Sequence, residues 1–117
     1  MNHKKIIFIA FSIIILSLIG CQKEERIDIR GEITGINISN DNKIVSLMVE
    51  GELEEDTSHD KASIRIVKNT KIYMANTKNK ISTNELKEGM KVEAIFEGPV
   101  AESYPVQATA KLIRIIE

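Results

Sequence analysis

The sequence predicts an all-β domain with one short helix, folded as a small barrel. Apolar residues alternate with polar residues in several runs, which is the period-two pattern of half-buried strands. Turn-forming residues separate these runs at short intervals, as in compact all-β folds. A single helix-start signal falls between the third main run and the fourth, so the predicted order is three strands, a short helix and two strands.

The first strand is predicted at residues 27–38. Three isoleucines and Gly31 alternate with charged residues up to Ile33, and the apolar positions then shift by one residue at Thr34-Gly35. A shift of this kind at a glycine predicts a β-bulge, which bends a strand and increases its twist. The following turn is predicted at Asn40-Asp41-Asn42, because these side chains hydrogen-bond to their own backbone in turns.

Three further extended segments are predicted at residues 45–49, 62–66 and 72–74. The first two carry apolar residues at alternate positions. The third resumes extended structure after a break at Asn69-Thr70.

The helix is predicted to begin at Ser82, because Glu85 follows three residues later, which is the spacing of a capping box. Gly89 is expected to end the helix after a turn or two. The last two strands are predicted at residues 90–97 and 106–116. This order matches the OB-fold, a five-stranded and partly open barrel, and a small β-sandwich of similar strand content is the alternative.

The N-terminus has the features of a bacterial signal peptide. Lys4 and Lys5 give it a positive start, and residues 6–19 form an apolar run that is shorter than the roughly 20 residues needed to span a bilayer. The run ends in Leu18-Ile19-Gly20-Cys21, which resembles the lipobox of bacterial lipoproteins, whose cysteine thiol takes a diacylglycerol. An uncleaved short anchor is the alternative.

The domain organisation follows from this N-terminus. Residues 1–20 are predicted to be a signal peptide, Cys21 to be lipidated, residues 22–26 to be a short charged tether and residues 27–117 to form a single domain. We therefore expect a lipid on Cys21 to anchor the protein in the cell membrane, on its extracytoplasmic face. Cys21 is the only cysteine, so the domain must be stable without a disulfide.

Composition argues against nucleic-acid binding. The chain has 16 basic and 17 acidic residues, and removing the two signal-peptide lysines leaves 14 basic against 17 acidic, a net charge of −3. The only aromatic residues after the signal peptide are Tyr73, Phe96 and Tyr104. Such a surface lacks the basic stripe and the stacking platforms that nucleic acids require. No nucleic-acid partner is therefore expected.

Five blocks of sequence carry a resemblance to a known family. They are VEG at 49–51, DKA at 60–62, TKI at 70–72, LKEGMKV at 86–92 and, above all, GPVAESYPVQA at 98–108. From Gly31 onwards the chain resembles the YobA-like family of small bacterial lipoproteins and secreted domains of unknown function. The resemblance implies a small β-barrel in an extracytoplasmic setting, and it implies no activity.

The acidic stretch EGELEEDTSHD, at residues 50–60, is a weak candidate for a metal site. Calcium prefers several clustered oxygens, and carboxylates at alternate positions share one face of an extended segment. The spacing does not match an EF-hand, however, and a charged run of this kind is typical of a solvated hairpin end. We therefore predict neither a metal site nor a cofactor; the weak candidate ligands are Glu50, Glu52, Glu54, Asp56 and Asp60.

The sequence shows no constellation of a nucleophile and a base. His59 is the only histidine after the signal peptide, and it has no second histidine or cysteine with which to bind a transition metal. Glu93, Glu97 and Glu102 lie close in sequence, but glycoside hydrolysis by paired carboxylates also needs a substantial cleft. We therefore predict that the protein is not an enzyme.

The segment EGPVAESYP, at residues 97–105, contains both prolines of the chain. Pro99 is expected to end the fourth barrel strand, because proline cannot donate to a β-ladder. Pro105 holds Tyr104 extended, and a cis peptide bond is plausible between them, although trans is the default. In an OB barrel this loop joins the last two strands and commonly contacts ligands. The candidate binding residues are Pro99, Glu102, Ser103, Tyr104 and Pro105; the alternative is that Tyr104 plugs the barrel mouth.

These features predict a membrane-anchored, extracytoplasmic lipoprotein that acts as a non-catalytic binding module of the cell envelope. Its partner would be an envelope protein or a wall polymer. The alternative is a small envelope protein that binds a ligand or a cation, or a hydrolase, using clustered carboxylates.

Overall fold

The fold is almost entirely β. The computed structural model describes residues 26–116, and the predicted signal peptide, Cys21 and tether residues 22–25 lie outside this range. The elements within it are β1 Ile29–Ile38, β2 Ile44–Glu50, β3 Lys61–Arg65, β4 Lys71–Met74, a 3₁₀ turn Thr83–Glu85, β5 Lys91–Ala101 and β6 Val106–Ile115. The predicted fold class is confirmed.

Five of these strands close into a barrel. β1 pairs antiparallel with both β2 and β5, β2 pairs antiparallel with β3, and β5 pairs antiparallel with β6. The circuit closes where β3 runs parallel to β6, with Ala62 opposite Val106 and Arg65 opposite Thr109. This pairing order is that of a small OB-like barrel, as the sequence predicted.

The short strand β4 extends the sheet beyond this circuit. It pairs in parallel with the second half of β6, from Lys71 opposite Leu112 to Met74 opposite Ile115. Tyr73 also forms an antiparallel bridge with Lys80. β4 therefore belongs to the long connection between the third and fourth strands of the barrel.

Bulges in β1 and β6 bend the barrel strands. Thr34 is the extra residue in β1, because its two neighbours lie opposite consecutive residues of β2. This confirms the bulge predicted at Thr34-Gly35. Lys111 is the extra residue in β6, because its two neighbours lie opposite consecutive residues of β5. This bulge accounts for the shift in apolar phase near Leu112.

The core fills the inside of the barrel. Alternate side chains of the strands point inward, and most of them are isoleucine, valine or alanine. Full burial of one such large aliphatic side chain contributes about 1.5–3 kcal/mol. The core members on the barrel strands are Ile29, Ile33, Leu47, Val49, Ala62, Ile64, Val92, Ala94, Ala110, Ile113 and Ile115.

The predicted helix is a single 3₁₀ turn, Thr83–Glu85. The backbone N–H of Ser82 donates to the carboxylate of Glu85 at 3.2 Å, which is the return bond of a capping box. Gly89 does not end the helix, as had been expected; with a φ of 92° it lies in the later turn that leads into β5. Within residues 26–116, no helix has the length and apolarity needed to cross a membrane.

The prediction that Pro99 ends the fourth barrel strand was wrong, because β5 continues to Ala101. What changes near Pro99 is the pairing with β6: Glu97 lies opposite Thr109, and Ala101 lies opposite Gln107. Three residues of β5 therefore face one residue of β6. Pro99 sits inside this wide bulge, where its missing N–H costs no ladder hydrogen bond.

Candidate functional site

A row of polar side chains crosses the outer face of β2, β3 and β6. Apolar side chains of these strands point into the barrel, so the residues between them point to solvent. Ser46 lies opposite Arg65, and Arg65 lies opposite Thr109. Asn37 of β1 extends the row, because its Nδ2 donates to Ser46 Oγ at 2.8 Å. The register thus aligns four polar residues across four neighbouring strands.

A second, shorter row runs beside the first. Ser63 of β3 lies opposite Gln107 of β6. Both residues are two positions along their strands from the first row, so the rows are about 7 Å apart. The outer face therefore offers hydroxyl, amide and guanidinium groups at a regular spacing.

The bulge in β5 turns this face into a groove. Pro99, Val100 and Ala101 line one side of the groove, whose volume is about 430 Å³. Its position, beside β2, β3 and the connection between the last two barrel strands, is where OB barrels commonly hold extended ligands. The remaining lining residues are Ser46, Ser63, Arg65, Gln107, Ala108 and Thr109.

Arg65 is the one charged residue that lines the groove. Among residues 26–116, no ion pair or side-chain hydrogen bond engages its guanidinium. The other two arginines on barrel strands differ, since Arg30 and Arg114 both bind Glu93. The five N–H donors of Arg65 are therefore available to a ligand.

Tyr104 points away from the barrel interior. Its side chain is 71% exposed, its hydroxyl donates a long hydrogen bond of 3.4 Å to Asp60 Oδ2, and its ring centroid lies 6.0 Å from Lys61 Nζ. The Tyr104-Pro105 peptide bond is cis. These contacts exclude the alternative in which Tyr104 plugs the barrel mouth, and they join the loop at 102–105 to the end of the acidic stretch.

The predicted binding residues divide between two places. Pro99 lines the groove, whereas Glu102, Ser103, Tyr104 and Pro105 lie in the loop beyond its wall. Ser103 Oγ donates to the carbonyl of Pro105 at 2.9 Å, so this hydroxyl satisfies the backbone. Glu102 is exposed to solvent.

The acidic stretch is organised by an arginine from β1. Arg30 donates from Nη1 and Nη2 to Asp56 at 3.0 and 2.7 Å, and from Nε to Glu93 at 2.8 Å. Its Nη1 also binds Glu54, and Arg114 Nη1 donates to Glu93 at 3.0 Å. The hydrogen bond from Arg30 lowers the pKa of Asp56, and the same bond raises the already high pKa of Arg30. These five residues form the Arg30 cluster.

The second half of the acidic stretch is packed against the barrel. The backbone N–H groups of Ser58 and His59 both donate to the carbonyl of Asp28 at 3.0 Å. Thr57 is buried, and the His59 ring stacks on Phe96 with 5.6 Å between centroids. The stretch therefore packs against the barrel at residues 57–59, and its residues 52–56 are exposed at the end of the β2–β3 hairpin, as the sequence favoured.

The other weak metal candidates also have protein partners or face solvent. Glu50 accepts a 2.6 Å hydrogen bond from Thr34 Oγ1, which lowers the pKa of its carboxyl, and it lies 3.6 Å from Lys61 Nζ. Asp60 accepts from Tyr104, and Glu52 is exposed. No group of three His, Cys, Asp or Glu side chains in the described part of the chain is placed to hold a metal ion.

The three glutamates considered for hydrolysis are also separated by environment. Glu93 is mostly buried and takes part in the Arg30 cluster through both carboxylate oxygens. Glu97 and Glu102 are exposed, one on each side of the β5 bulge. None of the three lines the groove.

Sequence reasoning missed most of the groove residues, namely Ser46, Ser63, Arg65, Gln107 and Thr109. Each occupies an outward position of a predicted strand, so the alternation contained the signal that they face solvent. Alternation does not reveal which strands are neighbours, and the two rows exist only because β3 pairs with β6.

Comparison with known families places the domain. A family described as "Protein of unknown function (DUF3221)" matches residues 34–117, well over half of the chain. The chain belongs to the DUF3221 family. The match begins at the β1 bulge and includes every residue that lines the groove of this DUF3221 domain. No curated protein and no solved structure matches the chain.

Proposed function

We propose that this protein is a membrane-anchored, extracytoplasmic lipoprotein, and that its domain is a non-catalytic module that binds a wall polymer in the groove. The signal-like N-terminus and the lipobox at Cys21 support the anchoring. The resemblance to YobA-like lipoproteins agrees with this setting. The observation that carries the binding function is the groove itself, in which two polar rows face the wall formed by the β5 bulge.

The chemistry of the groove favours binding over catalysis. Its lining offers hydroxyl, amide and guanidinium groups, without a histidine, cysteine or carboxylate. Acid–base and nucleophilic catalysis need such groups within hydrogen-bond reach of a substrate. His59 stacks on Phe96, and Glu93 is held by two arginines, so neither serves a ligand in the groove.

The same lining favours a wall polymer over a protein partner. Protein interfaces are centred on apolar and aromatic side chains, with tyrosine, tryptophan and arginine as their main anchors. The groove has no aromatic lining residue, and its apolar wall consists of the small side chains of Pro99, Val100 and Ala101. Rows of hydrogen-bonding groups about 7 Å apart suit a repeating polar chain.

The proposed anchor would keep the groove near the membrane. Seven residues separate Cys21 from Ile29, where β1 begins, and seven residues span at most roughly 25 Å when fully extended. β1 begins at the barrel end that carries the acidic stretch, because the carbonyl of Asp28 binds Ser58 and His59. The polar row with Arg65 lies opposite Asn37, near the other end of β1, so a polymer in the groove would be held within the tether and one barrel length of the outer face of the membrane.

Co-sedimentation of the full-length protein with purified, insoluble wall material tests this function. Ser63→Tyr fills the groove from the middle of β3, and we expect it to abolish co-sedimentation. Lys78→Tyr adds the same side chain at an exposed loop position away from the groove and should leave it unchanged. Equal retention of both variants, with equal melting temperatures, would contradict the proposal. In-cell crosslinking that recovers a protein sensitive to Ser63→Tyr would replace the polymer by a protein partner.

A further inference from the structure

We infer that the groove recognises an oxyanion, a phosphate or carboxylate group carried by a linear sugar or polyol polymer, and that Arg65 is the residue that binds it. This inference rests on the proposed function and names its ligand class. It follows from the pairing of the arginines, from the neighbours of Arg65 and from the shape of its side chain.

The pairing of arginines separates Arg65 from the rest of the sheet. Arg30 is saturated by the carboxylates of Glu54, Asp56 and Glu93, and Arg114 also binds Glu93. Arg65 lies on a barrel strand of the same acidic protein, yet in residues 26–116 no carboxylate lies within ion-pair distance of it. Of the three arginines on the barrel strands, the fold therefore leaves one with an open guanidinium, and this guanidinium lines the groove.

The immediate neighbours of Arg65 also favour the binding of an anion. Ser46 and Thr109 lie opposite it on the two adjacent strands, so hydroxyl groups flank the guanidinium. Ser46 Oγ already accepts from Asn37, which leaves its own O–H free to donate. Donors on both sides of a cation complement an oxyanion, which accepts several hydrogen bonds at once.

The planar guanidinium is suited to this ligand. It presents two parallel N–H groups to the two oxygens of a carboxylate or phosphate, and such charge-assisted pairs are about twice as strong as neutral ones. A neutral sugar would accept only single, weaker hydrogen bonds from the guanidinium N–H groups. The absence of aromatic residues in the groove also removes the stacking surface that single-stranded nucleic acids use.

Glu97 provides an internal check on the electrostatics. Glu97 of β5 lies opposite Thr109 of β6, and Thr109 lies opposite Arg65. Glu97 is therefore the carboxylate nearest to Arg65 along this row of paired residues, although the two side chains form no ion pair. A negative charge at this place weakens the attraction for an anionic ligand. Glu97→Gln is therefore expected to tighten binding by roughly two- to fivefold, the size of a weak exposed charge interaction.

Calorimetric titration of the full-length protein in non-ionic detergent tests the inference. The probes are poly(glycerol phosphate), oligogalacturonate and neutral dextran of matched length. We expect the two anionic polymers to bind and dextran to bind at least tenfold more weakly. Arg65→Gln should weaken binding of the anionic polymers by roughly 10- to 100-fold, as for a lost charged hydrogen bond. The matched control Lys78→Gln removes one positive charge outside the groove and should have no effect.

The outcomes separate this inference from the proposed function. One outcome is that dextran binds as tightly as the anionic polymers, and that this binding is lost in Ser63→Tyr but kept in Arg65→Gln. This outcome would overturn anion recognition and would still support the groove as the polymer site. A second outcome is that Arg65→Gln weakens the binding of anionic polymers and Ser63→Tyr does not. This outcome would support an anion site at Arg65 and would overturn binding within the groove. Tighter binding of oligothymidine or poly-L-glutamate than of both anionic polymers would overturn the assigned ligand class.

Discussion

Gly31 of β1 and Gly51, the residue that follows β2, are in direct backbone contact. A Cβ on Gly31 would lie 2.7 Å from the Gly51 nitrogen, and a Cβ on Gly51 would lie 2.7 Å from the Gly31 Cα. Both distances are well inside van der Waals contact, and the neighbouring atoms are backbone atoms that cannot rotate away. The chain can enter the acidic stretch beside Arg30 only because both positions lack a side chain.

Substitution of either glycine should therefore destabilise the barrel. Gly31→Ala and Gly51→Ala are each expected to cost about 3 kcal/mol, near the upper end for overpacking, and to lower the melting temperature by more than about 10 °C. Gly35→Ala is the matched control, because its Cβ would meet only Met48 Cβ at 3.4 Å. Thermal unfolding followed by circular dichroism measures all three, and a Gly31→Ala variant as stable as Gly35→Ala would refute the contact.

Arg30 should contribute more to stability than an exposed ion pair. Its side chain is 24% exposed and that of Glu93 is 14% exposed, so Arg30→Met leaves Glu93 with Arg114 as its one partner. The same change also removes the cation from the more exposed Glu54 and Asp56. We expect a loss of about 2–3 kcal/mol in urea denaturation, between the values for surface and buried pairs. Lys43→Met is the control: Lys43 lies 4.0 Å from Asp41 with both side chains exposed, and its loss should cost less than about 0.5 kcal/mol. Equal effects of the two variants would remove the special role of Arg30.

Two carboxyl groups with lowered pKa values predict how the stability of the protein depends on pH. Hydrogen bonds from Arg30 and Thr34 lower the pKa values of Asp56 and Glu50, respectively. Because folding stabilises these charged carboxylates, their contribution is complete above the ordinary pKa of about 4 and is lost as the pH falls through the lower folded-state pKa. The melting temperature should be level from about pH 7 to 5 and fall below about pH 4. Asp56→Asn should reduce this acid sensitivity, and an unchanged slope in that variant would argue against the assignment.

Local sequence patterns were sufficient to predict the elements of the fold. The alternation around Leu47 and Ile64 identified β2 and β3, and the phase shift at Gly35 identified the β1 bulge. These features depend on residues that are close in sequence. The same alternation runs through Ile38 and Val45, yet both are exposed. The β1–β2 register shifts between Asn37 and Ile38, so Val45 is an extra residue without a partner in β1. Period-two patterning indicates a face, and a bulge changes which residues occupy that face.

The site depends on contacts between distant parts of the chain, which explains why it was missed. Arg30 meets Asp56 across 26 positions, and Ser63 meets Gln107 only through the parallel pairing of β3 and β6. Nothing local to Asp56 indicates an arginine partner. The prediction that Pro99 ends a strand was wrong for a related reason, because it assumed that the strand needs a ladder hydrogen bond from the backbone nitrogen at that position. The segment 97–105 was correctly expected to contain the connection between the last two barrel strands, although the connection itself is only residues 102–105.

Cys21→Ala should release the protein from the membrane. The lipobox-like end of the predicted signal peptide predicts a lipid on this single thiol, and a diacylglycerol anchor would be sufficient for stable attachment. We expect wild type in the membrane fraction, with a mass increased by the lipid, and the variant without that modification. Cys21 is the only cysteine, so mass spectrometry after thiol labelling provides an internal control. Membrane attachment of the variant at the wild-type level, with its signal sequence removed, would disprove the anchor.

Tyr104→Ala should separate the two roles considered for the loop at 102–105. The ring is 71% exposed and its hydroxyl makes one long hydrogen bond to Asp60, so its loss should change the free energy of unfolding by less than about 0.5 kcal/mol. If the loop extends the groove, wall co-sedimentation should weaken by about three- to tenfold, as for a lost aromatic contact. Tyr104→Phe keeps the ring and should bind as wild type does, which assigns the effect to the ring. A large fall in the melting temperature of Tyr104→Ala would instead show that the loop has a structural role. Unchanged binding with an unchanged melting temperature would show that the binding site is confined to the groove.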